Sequence, residues 1–190
     1  LRLFLLFVVF LLSVDAPDGG TVANAGTQSV KVAVYDESLT PLAQATAATT
    51  LHYPHPGWVQ MDPDEFLSIT LTCMKRCTDE IRGKGYDPAD IRAVMGDGII
   101  CGICGVNAEG DAVTPYINYL DSRTQADADA INAKNLDIWG KETGNPEANC
   151  MFPALFARWF IKNSRKFREK GVKFVHNAPY ILMHLAGLKG

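Results

Sequence analysis

Apolar and polar positions follow several different periods along this chain, and each period predicts an element. Leu1 to Leu12 is an almost unbroken apolar run carrying a single charge, Arg2. Such a run predicts a strand buried on both faces, and its length also suits the apolar region of a secretory leader. The strand reading is preferred, because Val14-Asp15-Ala16 follows in place of an A-x-A cleavage site. The run is too short to span a bilayer comfortably. Strict alternation at Val30, Val32 and Val34 then predicts a hairpin strand that turns through Asp36 to Thr40, and Leu42 to Leu51 predicts the next strand.

The period changes after the loop His52-Tyr53-Pro54-His55-Pro56-Gly57-Trp58. Asp62 as N-cap, Pro63 at the first helical position and Glu65 closing a capping box predict a helix start. Phe66, Ile69, Cys73, Cys77 and Ile81 recur at helical spacing as its buried stripe, and Gly83 and Gly85 stop it. Ile91 to Met95 and Ile99 to Val106 predict two strands around Gly96-Asp97-Gly98, with a tight turn at Asn107 to Asp111 and a short strand at Tyr116 to Leu120. Asp121-Ser122 is expected to cap a helix reaching Ile138, packed through Ala126, Ala130 and Ala133. A break at Thr143-Gly144-Asn145-Pro146 precedes a helix from Met151 to Arg168 with Phe152, Leu155, Phe156, Trp159 and Phe160 inward. Val172 to Val175 predicts a last strand, followed by a short apolar helix ending at Gly187. Hairpins followed by strand-helix alternation define an α/β domain.

Composition narrows the function classes. A chain of 190 residues, 47% hydrophobic and with net charge −3, forms one well-packed domain or two small ones and is not disordered. The slight acidity argues against nucleic acid as a partner, and the basic cluster from Lys162 to Lys173 is a solvated helix face. Five cysteines, an odd number without a regular framework, fit a reducing, cytoplasmic setting. Cys101 and Cys104 form a C-x-x-C inside an apolar stretch without the strand-to-helix context of a redox pair. His176 and His184 lack metal-ligand spacing with a further ligand. Trp58 and His55 are read as packing beneath the proline-rich loop.

The candidate chemistry lies at the first turn. Without Pro17 to Ala25, Ser13-Val14-Asp15-Ala16 would join Gly26-Thr27-Gln28-Ser29-Val30-Lys31. A strand ending in a carboxylate, followed by glycine and small hydroxyl residues, surrounds a phosphate with backbone N–H groups and hydroxyls and leaves the carboxylate for Mg2+. Gly26 allows close approach of the backbone. Taken alone, G-T-x-S is also an ordinary hairpin sequence.

The joined string resembles the D-x-G-T-x-S signature of the FGGY carbohydrate kinases. Further segments resemble that family in order: His55-Pro56-Gly57-Trp58 through Asp62-Pro63 to Phe66, then Tyr119-Leu120-Asp121-Ser122-Arg123, then Thr143-Gly144-Asn145-Pro146. The resemblance implies an actin-like, hexokinase-like ATPase domain of the ribonuclease H-like kind, a mixed sheet flanked by helices, spanning residues 1–190 with an insertion at 17–25. It implies transfer of the terminal ATP phosphoryl to a sugar or polyol hydroxyl. Asp15 would hold Mg2+, and Gly26, Thr27, Gln28 and Ser29 would line the phosphate path. Ile100, Cys101, Asp121 and Arg123 would face the acceptor. Xylulokinases typically carry Q-M-H-G where this chain has Ile99-Ile100-Cys101-Gly102, which leaves the sugar open. The family pattern places the general-base Asp and an adenosine-gripping domain beyond residue 190, so the chain alone is expected to be inactive, and homo-oligomerisation belongs to the full-length enzyme. The alternatives are a non-catalytic pseudo-kinase fragment serving as a binding module, and a secreted α/β protein with a cleaved leader. The missing initiating Met suggests a fragment.

Overall fold

A computed structural model describes residues 4–9, 27–36, 38–136, 139–164, 167 and 171–189. Asp15, the 17–25 insertion and Gly26 therefore lie outside the described residues. β1 (Phe4–Val9), β2 (Ser29–Tyr35), β3 (Pro41–Ala48) and β5 (Ile91–Gly96) form one sheet in the order β3-β2-β1-β5. β2 is antiparallel to both its neighbours, whereas β1 and β5 run parallel. A parallel neighbour requires a crossover, and α1 (Pro63–Gly83) supplies it. The two smaller ribbons pair β4 (Gln60–Met61) with β7 (Tyr116–Ile117), and β6 (Cys104–Val106) with β8 (Lys173–Val175).

The core follows from the two periods. Val30, Val32 and Val34 point from one face of β2 onto Cys73, Cys77 and Ile81 of α1, and all are buried. Each fully buried Val or Ile contributes about 1.5–3 kcal/mol. The Cys77 thiol donates to the Val32 carbonyl at 3.5 Å, which places it in the helix-sheet seam. Asp62 caps α1, accepting from the N–H groups of Asp64 at 2.9 Å and Glu65 at 3.4 Å. Glu65 reaches away from the cap and accepts the Thr50 hydroxyl at 2.7 Å. Thr70 takes a buried place on the stripe, while Ile69 is half-buried. Thr70 satisfies its hydroxyl on the Phe66 carbonyl, one helical turn back.

Several predicted elements are shorter in the structure. Only Cys104–Val106 of the 99–106 stretch is strand, because Ile99 to Gly102 form a loop anchored by side chains. α2 runs only from Gln125 to Asn132, with Thr124 rather than Asp121 at its N-cap position. Asp121 is occupied by Arg123, and the buried alanine is Ala128 while Ala126, Ala130 and Ala133 are exposed. A π-helical turn, Trp139–Thr143, follows. α3 (Pro153–Asn163) packs Phe156 and Phe160 against Ile103 and Ile117. α4 (Asn177–Leu185) lies beside the end of β5, where Leu182 meets Gly96.

Candidate functional site

Register brings three strand ends to one edge of the sheet. Val9 at the end of β1 pairs with Lys31 near the start of β2, and Val8 pairs with Gly96 at the end of β5. The two ends joined by residues 10–28 are therefore held side by side, next to the loop that leaves β5. The carboxyl ends of parallel strands in open α/β sheets are the usual ligand edge. Thr27, Gln28 and Ser29 stand at the head of β2. Thr27 is buried and its carbonyl accepts the Thr49 hydroxyl at 3.2 Å, while Gln28 is exposed and its carbonyl accepts from the Thr49 N–H at 3.0 Å. Two bonds from Thr49, the residue after β3, thus fix this segment. Partial burial lowers the pKa of Lys31 on the neighbouring position. Among the described residues no three His, Cys, Asp or Glu side chains gather as a metal site.

The loop after β5 is fixed from outside. Tyr116 donates its hydroxyl to the Ile99 carbonyl at 3.3 Å, and His176 Nδ1 lies 2.6 Å from the Gly102 carbonyl. A Cβ on Gly98 would overlap Asn177, and one on Gly102 would overlap the Tyr116 ring. Between these anchors Cys101 takes φ +70°, and Ile100 projects outward, 68% exposed. Burial raises the pKa of the Cys101 thiol. Burial, followed by the nearby Asp64 carboxylate, pushes Cys104 up to about 12. These thiols are protonated at neutral pH, and all five cysteines are free.

Asp121 and Arg123 meet each other elsewhere. Their side chains are 0% and 2% exposed, with Arg123 Nη2 2.7 Å from Asp121 Oδ2 and Nε 2.9 Å from Oδ1. Asp121 also accepts the Val59 N–H at 2.6 Å, and Arg123 donates to Gln60 Oε1 at 3.2 Å. The guanidinium lies 4.0 Å from the Trp58 ring centre and 4.8 Å from that of Trp159. Hydroxyl contact at either Asp121 oxygen, or at Arg123 Nε or Nη2, would have to compete with bonds already made. Packing at Trp58 is legible in the sequence, but the guanidinium set against two indoles that touch each other is not, since Trp58 and Trp159 lie about a hundred residues apart. Spacing likewise sets His176 aside as a metal ligand without revealing its tie to Gly102. Only the adjacency of His176 to the start of α4 hinted at an anchoring role.

The mixed sheet in the order β3-β2-β1-β5, with β1 antiparallel to β2 and parallel to β5 and helices packed against it, has the fold of an actin-like ATPase domain. The chain belongs to the FGGY family of carbohydrate kinases, matching the model of the family's N-terminal domain over residues 22–189. It is 29% identical over 152 residues to a glycerol kinase of Rhodopirellula baltica, covering 77% of this chain and 27% of that protein. Plasmodium falciparum glycerol kinase with ADP superposes with a TM-score of 0.75 at 18% identity, over 98% of this chain and 34% of the other. The xylulose kinase of Rhodospirillum rubrum gives a TM-score of 0.73 at 18% identity, over 96% and 33%. The chain thus spans about a quarter to a third of the length of these relatives. Among the described residues no helix is long and apolar enough to cross a membrane.

Proposed function

We propose that this chain carries the phosphate-and-acceptor half of an ATP-dependent kinase acting on a sugar or polyol hydroxyl. The observation that carries the proposal is the meeting of the β1, β2 and β5 ends on one edge of the sheet. Phosphoryl transfer needs alignment of the donor phosphate with the acceptor, charge neutralisation and proton removal. Thr27, Gln28 and Ser29 offer hydroxyl and amide donors suited to phosphate oxygens, and Gly26 would let the backbone approach. The donor chemistry of these residues fits a nucleotide phosphate. Asp15 is the residue that would hold Mg2+, which supplies charge neutralisation when bound. The pairing of β1 with β2 supports this assignment despite the insertion, because extra residues between two paired strand ends can loop out without separating them.

The acceptor would lie against the 98–102 loop, touching Ile100 and Cys101, whereas Asp121 and Arg123 would frame the 57–61 segment that they bind through Val59 and Gln60. Its class is taken from relatives named as glycerol and xylulose kinases. Proton removal and the grip on adenosine fall to groups outside this chain, so the chain by itself does not turn over. A reducing compartment such as the cytoplasm suits its five free thiols. The second reading, a binding module without catalysis, is favoured by one feature: Ile99 to Cys104 presents no charged or hydroxyl side chain to an acceptor.

Titration of the chain with MgADP and MgATP, with and without glycerol or xylulose, tests the proposal. Binding weakened by the paired substitution Thr27→Ala and Ser29→Ala is the expected result, with no product formed. Phosphorylated acceptor appearing at kinase-like rates of about 1–100 s−1 would overturn the division of labour. Nucleotide binding indifferent to Thr27 and Ser29 would overturn the phosphate assignment.

A further inference from the structure

The 98–102 loop is held by two side chains from elements distant in sequence, and neither carries an assigned role. His176, the residue preceding α4, is tied through Nδ1 to the Gly102 carbonyl at 2.6 Å. Tyr116 on β7 is fully buried and donates to the Ile99 carbonyl at 3.3 Å. The two bonds bracket Ile100 and Cys101. Between them Cys101 adopts φ +70°, a conformation that a side chain with a Cβ takes only when its surroundings hold it there. Gly98 and Gly102 have no room for a side chain, since Asn177 and the Tyr116 ring occupy the space. The loop is consequently set by the buried Ile99 side chain and by contacts to its backbone, which leaves Ile100 exposed and Cys101 half-buried.

We propose that His176 and Tyr116 are positioning residues that clamp this loop into a single preformed shape. The clamp holds Ile100 outward and Cys101 half-buried before any ligand arrives. A carbonyl accepts, so the Nδ1 of His176 carries the proton that bridges to Gly102. α4 thereby becomes a strut that transmits its position to the loop at the ligand edge. The loop's role as an acceptor wall rests on the function proposed above, whereas the clamp itself does not.

Cys101 reports on the clamp directly. Cys73, Cys77 and Cys104 are fully buried, so replacing the half-buried Cys150 with Ser leaves Cys101 as the one partly exposed thiol. Alkylation of this protein by iodoacetamide is then followed in His176→Ala, His176→Asn, His176→Gln and Tyr116→Phe. Asn places its amide nitrogen where His carries Nδ1, and Gln places its own nearer the Nε2 position. We expect Ala and Gln to accelerate alkylation of Cys101 roughly tenfold, as loss of one hydrogen bond allows. Asn should restore a rate within about twofold of the parent, and Tyr116→Phe should raise it about threefold. Mass mapping shows whether the buried thiols react too; if they do in a His176 variant, that variant has unfolded and Tyr116→Phe decides. An unchanged rate in Ala and in Phe, or an Asn variant as fast as Ala, overturns the proposal. No nucleotide or acceptor enters this assay, so its failure leaves the phosphotransfer reading intact, and loss of nucleotide binding leaves the clamp intact.

Discussion

The Asp121–Arg123 pair and the 98–102 loop are the two regions expected to meet the acceptor, and they are built in opposite ways. The first is charged, almost fully buried and tied to its own partners through Arg123 Nε and Nη2 and both carboxylate oxygens of Asp121. The second has no charged side chain from Gly98 to Gly102, exposes Ile100, and owes its shape to the buried Ile99 and to bonds on its carbonyls. Charge at a motif position can therefore serve the frame, while an apolar loop can hold the ligand edge. The contrast predicts that substitutions will separate stability from ligand contact.

The largest effect belongs to the pair. Arg123→Ala leaves the Asp121 carboxylate buried without its cation and should cost about 3–5 kcal/mol, read as a fall in the urea midpoint. A loss below about 1 kcal/mol would mean that the pair is open in solution. Next comes Gly102→Ala, whose added methyl overlaps the Tyr116 ring; overpacking of this kind costs about 1–3 kcal/mol in the same assay.

Alkali acts on the buried thiols of the core. Burial raises Cys77 from 9.0 to about 11 and Cys104 from 9.0 to about 12. A folded pKa above the unfolded one means that the folded state holds protons which the unfolded state releases. Stability should therefore be complete below pH 9 and decline as pH rises from about 9 towards 12. Cys104→Ala should flatten that decline, although its smaller side chain lowers stability at neutral pH. An unchanged alkaline slope would argue against the buried neutral thiol. Asp62→Ala should cost about 1 kcal/mol through loss of the α1 cap. The smallest effect is at Ile100: Ile100→Gln on its exposed side chain should leave stability within about 0.5 kcal/mol while altering acceptor binding. A large loss of stability there would erase the contrast between the two regions.

Local signals made much of the fold legible. Alternating valines fixed the face of β2, and Asp62-Pro63 fixed the start of α1, because capping and period act within a few residues. The parallel pairing of β1 with β5 follows only from bringing together segments about eighty residues apart. The region from Ile99 to Asp121 was misjudged in detail for the same reason. Its apolar residues look like strand, yet Tyr116 and His176 draw the backbone into a loop, and Arg123 claims the carboxylate that would otherwise suit a helix cap. Family membership was readable from the ordered motifs. The bracing of Arg123 by two indoles was not, because no local spacing encodes it.

Central to this account is the edge where β1, β2 and β5 end. Amide chemical-shift mapping of the labelled chain during addition of MgADP tests it most directly. The largest shifts are expected on Thr27 to Ser29 and on the 98–102 loop, with α1 and the Asp121–Arg123 region little changed. Shifts confined to other surfaces, or none at millimolar nucleotide, would contradict it.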